Sequence, residues 1–169
     1  IRWYKQHAKE LGIDPKRIIA GGGSAGGHIS LLATTNPGLN KPTDSRNVDT
    51  DVVAYLLFNP ALGPEDAKDA EVDFLKHVKA NMPPAIVFFG TEDKWFKIGW
   101  KKATQKMQSL GIKSTELLMA EGQGHSFFNK QPWVDITFIA ADKFLIKHGL
   151  ITGEPTLQAP KSGKKLVRK

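Results

Sequence analysis

Arg17-Ile18-Ile19-Ala20-Gly21-Gly22-Gly23-Ser24-Ala25-Gly26-Gly27-His28 is the stretch on which the fold turns. Arg17-Ile18-Ile19-Ala20 reads as a short strand, and the glycine run after it leads into a small, mostly apolar helix over 28–34. Between the two, Gly22-Gly23-Ser24-Ala25-Gly26 fits G-x-S-x-G, the pattern that holds a serine on a sharp strand-to-helix turn. Small neighbours are needed there because helix and strands approach the turn closely on both sides. Two other readings fit the same residues. The glycines can form a plain flexible turn, and Gly21, Gly23 and Gly26 satisfy G-x-G-x-x-G, the dinucleotide-binding fingerprint. That fingerprint needs an acid at the end of the next strand to hold a ribose. Here the next strand ends in Phe58-Asn59-Pro60, with Asp49 and Asp51 at its other end.

Outward from the turn the chain alternates between the two periodicities. Tyr4, Ala8 and Leu11 recur at helical spacing and Gly12 follows, so 2–11 is expected to be a helix that stops there. Downstream, 52–58 is an apolar run without alternation, suited to a strand covered on both faces. Residues 61–82 begin acidic and then carry Val72, Leu75 and Val78, which predicts a short helix or cap segment. Pro83-Pro84 introduces a strand at 85–89. Phe96, Trp100, Ala103, Met107 and Leu110, at alternating spacings of four and three, predict an amphipathic helix ending at Gly111. A strand at 114–120 follows, and a last helix runs from about Pro132 to just before Gly149. Its apolar set is wider than one packing stripe needs. The expected architecture is α/β, with a mostly parallel sheet of about four strands flanked by helices.

Two further residue types fall where such a sheet places its chemistry, just past the carboxyl ends of strands. Asp93 stands in Phe89-Gly90-Thr91-Glu92-Asp93, and His125 in Gly122-Gln123-Gly124-His125-Ser126-Phe127-Phe128. Taken singly, Asp93 reads equally as a helix N-cap and His125 as an exposed loop histidine. Taken with Ser24 they supply nucleophile, acid and base in the order Ser, Asp, His, after the first, third and fourth of these strands. His125 would take the proton of Ser24, and Asp93 would hold the imidazole in one tautomer. Ala25 N–H at the helix start, with Gly23 beside the serine, is expected to face the developing oxyanion. Glu92 is the weaker candidate acid. His28 is assigned to packing or a hydrogen bond near the turn, Ser126 lacks an elbow, and His7, His77 and His148 have no partner pattern.

Composition narrows the classes. The 169 residues contain no cysteine, which excludes disulfides, thiolate nucleophiles and cysteine-based zinc sites. No cluster has metal-ligand spacing, so neither a metal nor a cofactor is expected. Apolar runs are far shorter than the ~20 residues of a membrane-crossing helix. The net charge of +7 is uneven: Lys161, Lys164, Lys165, Arg168 and Lys169 stand against Glu154 alone in the last stretch. Residues 151–169 are therefore read as a basic, solvated tail, and neither a nucleic-acid nor a membrane partner is expected.

Gly22-Gly23-Ser24-Ala25-Gly26-Gly27-His28, Gly90-Thr91-Glu92-Asp93 and Gly124-His125-Ser126-Phe127-Phe128 resemble the microbial carboxylesterase and acetyl-esterase branch of the α/β-hydrolase superfamily. Leu11-Gly12-Ile13-Asp14-Pro15-Lys16-Arg17-Ile18 resembles its approach to the nucleophile strand. The resemblance implies that 1–150 is a partial catalytic domain whose strands correspond to the family's fifth to eighth. It further implies hydrolysis of a small short-chain carboxylic ester through an acyl-serine. The family's N-terminal half, with its His-Gly-Gly-Gly type oxyanion loop, has no counterpart in these residues. The elbow strand is then expected at a sheet edge, with the missing half supplied by a second polypeptide or with two copies associating there. The alternative is a partner-dependent or impaired fragment acting mainly by association.

Overall fold

The computed structural model describes residues 1–169, the side chain of Ala67 excepted. Four parallel strands follow one another in space as they do in sequence: β1 (Ile19–Gly23), β2 (Ala54–Phe58), β3 (Ala85–Gly90) and β4 (Thr115–Ala120). A fifth, β5 (Leu166–Arg168), adds to β4 in antiparallel sense. The helices are α1 (Arg2–Gln6), α2 (Ala8–Leu11), α3 (Ala25–Thr35), α4 (Phe74–His77), α5 (Lys101–Ser109) and α6 (Trp133–Lys147).

Strand alternation divides the core between the two faces of the sheet. On β3, where every residue is buried, Val87 and Phe89 point to one face and Ile86 and Phe88 to the other. The first face receives Leu31 and Leu32 of α3, Phe74 of α4, and Ala103 and Met107 of α5, with Trp100 among them. The second receives Trp133, Ala141, Phe144 and Leu145 of α6, together with Phe127. The broad apolar set of the last helix is explained by this position, since α6 alone packs over β2, β3 and β4.

Several boundaries differ from the sequence reading. The strand expected at 17–20 lies at Ile19–Gly23, so the glycines as far as Gly23 are sheet rather than turn. A Cβ on Gly21 would stand 2.5 Å from the Leu56 carbonyl oxygen, which makes glycine the residue that lets β1 lie against β2. The single helix expected over 2–11 is broken at His7, whose ring stacks on Trp3 and whose Nδ1 lies 2.8 Å from the Trp3 carbonyl. The helix expected to begin near Phe96 opens with a π-helical turn, Phe96–Trp100, before α5. The segment 61–82 holds a 3₁₀ turn, Pro64–Lys68, and α4.

The tail is the larger correction. Residues 151–169 were expected to be solvated throughout, yet Leu166–Arg168 complete the sheet. Without them β4 would present unpaired backbone groups at an edge. Leu166 packs against the α6-side core. Arg168 Nη2 and Lys147 Nζ each reach a different oxygen of Glu116, both at 2.5 Å. At the opposite end of the sheet β1 pairs with β2 alone among the described residues.

Candidate active site

Ser24 follows β1 directly and adopts φ 55° and ψ −123°, outside the regions open to most L-residues. Its backbone is held on all sides. The N–H donates to Phe58 O at 2.9 Å, and the carbonyl accepts from Gly27 and His28 of α3 and from Ala61 N at 3.1 Å. The glycines permit this. A Cβ on Gly22 would lie 2.7 Å from the Gly26 carbonyl carbon, and one on Gly27 would be 3.0 Å from Pro60 Cβ.

The side chains of Ser24, His125 and Asp93 meet above the carboxyl ends of β1, β3 and β4. His125 Nε2 is 2.8 Å from Ser24 Oγ, and His125 Nδ1 is 2.9 Å from Asp93 Oδ2. Asp93 is buried at 1 % exposure, while the His125 side chain keeps 32 %. With Nδ1–H donated to the carboxylate, Nε2 is left as the acceptor facing the hydroxyl. The His125 end of the pair thus opens to solvent and the Asp93 end is closed.

The loops that bring these groups together are stitched to each other. Glu92 N donates to Gln123 O at 2.9 Å and Gly122 N to Thr91 Oγ1 at 2.9 Å. Gly90 lies beneath them with no room for a side chain, because a Cβ would run into the Gln123 carbonyl. Gly90→Ala is therefore expected to push the His125 loop away from Asp93. It should lower stability by about 1–3 kcal/mol and turnover by roughly 10²-fold, read from thermal melts and ester hydrolysis. A variant with unchanged kcat would mean that the loop absorbs the methyl group elsewhere.

Neither Ala25 N–H nor Gly26 N–H has an acceptor among the described hydrogen bonds. Both belong to the first turn of α3, where such donors are free to receive an anion. Gly23 stays within β1, and the Phe128 ring lies over it: a Cβ there would stand 2.6 Å from Phe128 Cζ. Phe128 continues onto Phe58 with ring centres 5.2 Å apart, making an apolar wall beside the turn.

The other sequence candidates stand apart. Glu92 is exposed and makes no side-chain hydrogen bond among those described. His28 Nε2 lies 2.8 Å from Val72 O, with Asp66 3.8 Å from its Nδ1. His77 lies 2.8 Å from the Ala70 carbonyl, and His148 sits against Phe144. Among the described residues no group of three metal-ligating side chains converges, and no helix is long and apolar enough to cross a membrane. Away from the site, burial raises the Tyr55 phenol above its ordinary range. A hydrogen bond from Lys5 holds the Asp49 carboxyl below its own.

One residue escaped the sequence reading. Asn59, where a dinucleotide site would need its acid, is wholly buried and donates from Nδ2 to Asp93 Oδ2. In the sequence it was only the polar residue that closes a strand before a proline. Its sole signal was a polar side chain at the carboxyl edge.

The profile of the BD-FAE family matches residues 1–59, a segment that contains the Ser24 turn and ends on Asn59. No curated protein sequence matches significantly. Among solved structures the chain is similar to esterase 2 of the Planctomycetes species Thermogutta terrifontis. To the propionate-bound form of this thermophilic esterase it is 31% identical, with a TM-score of 0.77 over 91% of this chain and 64% of that one. The form phosphorylated by paraoxon gives 32% identity and a TM-score of 0.80 over 91% and 62%. The butyrate-bound form gives 30% and 0.76 over 91% and 64%. The chain thus spans a little under two thirds of the length of these esterases.

Proposed function

We propose that this chain, an α/β-hydrolase over the C-terminal portion of the fold and esterase-like in its relatives, carries the reactive residues of a serine carboxylic-ester hydrolase. The observation that carries the reading is the unbroken relay Ser24 Oγ, His125 Nε2, His125 Nδ1, Asp93 Oδ2, with spacings of 2.8 and 2.9 Å. As Ser24 Oγ bonds to the ester carbonyl carbon, its proton passes to His125 Nε2 and the carbonyl oxygen becomes an oxyanion facing Ala25 N–H. Collapse breaks the bond to the alcohol oxygen, which leaves with the proton from His125. Water then repeats the sequence on the acyl-serine, and the acid is released.

A short acyl chain is the reading that the propionate- and butyrate-bound relatives support, and the Phe128–Phe58 wall suits a small apolar group. A fluorophosphonate probe followed by mass spectrometry tests the reaction class: the adduct is expected on Ser24. An intact fold that takes no adduct would move the reading to a fragment that acts by association.

That second reading has its own supporting observation, the open edge of β1. An edge strand presents a row of unpaired N–H and C=O groups that can template pairing with another chain. The unpaired groups from Ile19 to Gly23 suit a further strand, from another polypeptide or a second copy. The same partner would be placed beside Ser24, where a second oxyanion donor is needed. Sedimentation of the 169-residue chain is expected to show association, and a monodisperse monomer would count against it.

A further inference from the structure

We propose that Asn59 is a positioning residue for the relay. Its amide fixes the Asp93 carboxylate, and its left-handed backbone braces the turn that carries Ser24. The proposal rests on the serine-hydrolase reading above.

Asp93 is held by three donors from three places. Trp95 N–H reaches Oδ1 at 2.9 Å, His125 Nδ1 reaches Oδ2 at 2.9 Å, and Asn59 Nδ2 donates to Oδ2 as well. The first belongs to Asp93's own loop, and the second is the group that Asp93 has to orient. Asn59 is therefore the brace that comes from outside both. Without it, the oxygen facing His125 would be located by His125 alone, on a loop with an exposed imidazole edge.

The chemistry of the amide points the same way. Asn59 is 0 % exposed, and its Oδ1 has no hydrogen-bond partner among the described residues. Turning the amide over would set Oδ1 against the Asp93 carboxylate, so the donor must face the acid and the acceptor is left without a partner. A buried acceptor without a partner is costly. An apolar residue of similar volume would avoid that cost if the position served packing only.

The backbone of the same residue meets the other end of the relay. Asn59 has φ 48°, a left-handed conformation that asparagine tolerates better than most side chains. Its N–H is pinned to Phe88 O at 2.8 Å. The reversal it makes lays Pro60 against Gly27 and lets Ala61 N–H donate to Ser24 O at 3.1 Å. One residue at the end of β2 thus touches the acid through its side chain and the nucleophile through the two residues that follow it.

Two substitutions separate this role from a purely structural one. Asn59→Gly keeps the left-handed turn and removes the amide. Asn59→Asp keeps the shape and places a second carboxyl beside Asp93. With p-nitrophenyl acetate, Asn59→Gly is expected to lower kcat about ten- to a hundredfold with KM changed by less than about twofold. The rate of fluorophosphonate labelling at Ser24 should fall in parallel. For Asn59→Asp the loss relative to the unsubstituted chain should widen as pH rises. A proton shared between the two carboxyls supplies the missing donor, and its departure leaves like charges in contact. Asp93 and His125 are the other titratable groups facing this position, and the quantity read is the ratio to the unsubstituted chain at each pH.

Unchanged kcat and labelling in Asn59→Gly would overturn the proposal, whatever happens to the melting temperature. If that variant does not fold, a pH-independent ratio for Asn59→Asp would overturn it. Failure of the underlying reading looks different: the unsubstituted chain itself would take no adduct on Ser24, and the relay would fall with Asn59's part in it.

Discussion

Replacing His125 by alanine is expected to lower kcat for an acetyl ester on the order of 10⁶-fold, and to abolish the Ser24 adduct on the time scale of wild-type labelling. The size follows from the geometry. Ser24 Oγ has one recorded hydrogen-bond partner, His125 Nε2 at 2.8 Å. Among the described contacts no other base reaches it. A serine hydroxyl is a weak nucleophile until a base removes its proton. Ser24→Ala should cost a similar factor, and the double variant should be little worse than either single one, because the two groups act as a unit. Losses that multiplied in the double variant would show that the two side chains act independently, and the relay would have to be abandoned.

Asp93→Asn is expected to reduce kcat by about 10⁴-fold while leaving substrate binding nearly unchanged. In the native site both carboxylate oxygens accept, Oδ1 from Trp95 and Oδ2 from Asn59 and His125. An amide has a single acceptor. If its oxygen serves Trp95, the NH₂ group faces Asn59 and His125, and the imidazole must turn its unprotonated nitrogen toward it. Nε2 then carries the proton and can no longer take one from Ser24. If instead the oxygen faces His125, the NH₂ group opposes Trp95 N–H, and two buried donors compete at a cost of about 1–3 kcal/mol. The nitrogen shifts of His125 in the two forms report which outcome occurs. Full activity in the variant would remove Asp93 from the relay.

The elements whose sequence pattern reflects one physical demand were legible. The run 85–89 is apolar throughout because β3 is buried on both faces, and the Phe96 to Leu110 spacing marks the stripe that meets the sheet. The elbow was legible because a serine between small residues has few other uses after a strand. Its exact strand was not. Gly21 to Gly23 look like turn residues by propensity, yet they pair with β2, and a side chain at each would run into Leu56, Gly26 or Phe128 in turn. The tail failed for the complementary reason. Leu166 and Val167 sit among lysines, and their pairing depends on Glu116 and on the open side of β4, a contact across some fifty residues of sequence. Asn59 was hidden because its role depends on Asp93, which is remote in sequence, and an asparagine before a proline reads locally as a strand end.

The strict spatial order of the parallel strands also bears on how the site comes into being. Each ladder joins segments roughly 30 to 35 residues apart, Ile19 to Ala54, Tyr55 to Ala85 and Ala85 to Thr115. The sheet can therefore grow by adding the next strand to the last one formed, without waiting for distant ends to meet. Ser24 directly follows the first strand of that series and His125 lies in the loop after the fourth. During synthesis Ser24 is consequently made before His125, and in the proposed relay it stays unactivated until the last parallel strand docks. Capture of Ser24 by an activity probe during refolding would then time the end of assembly, whereas Trp100, packed on Phe89 of β3, reports its middle.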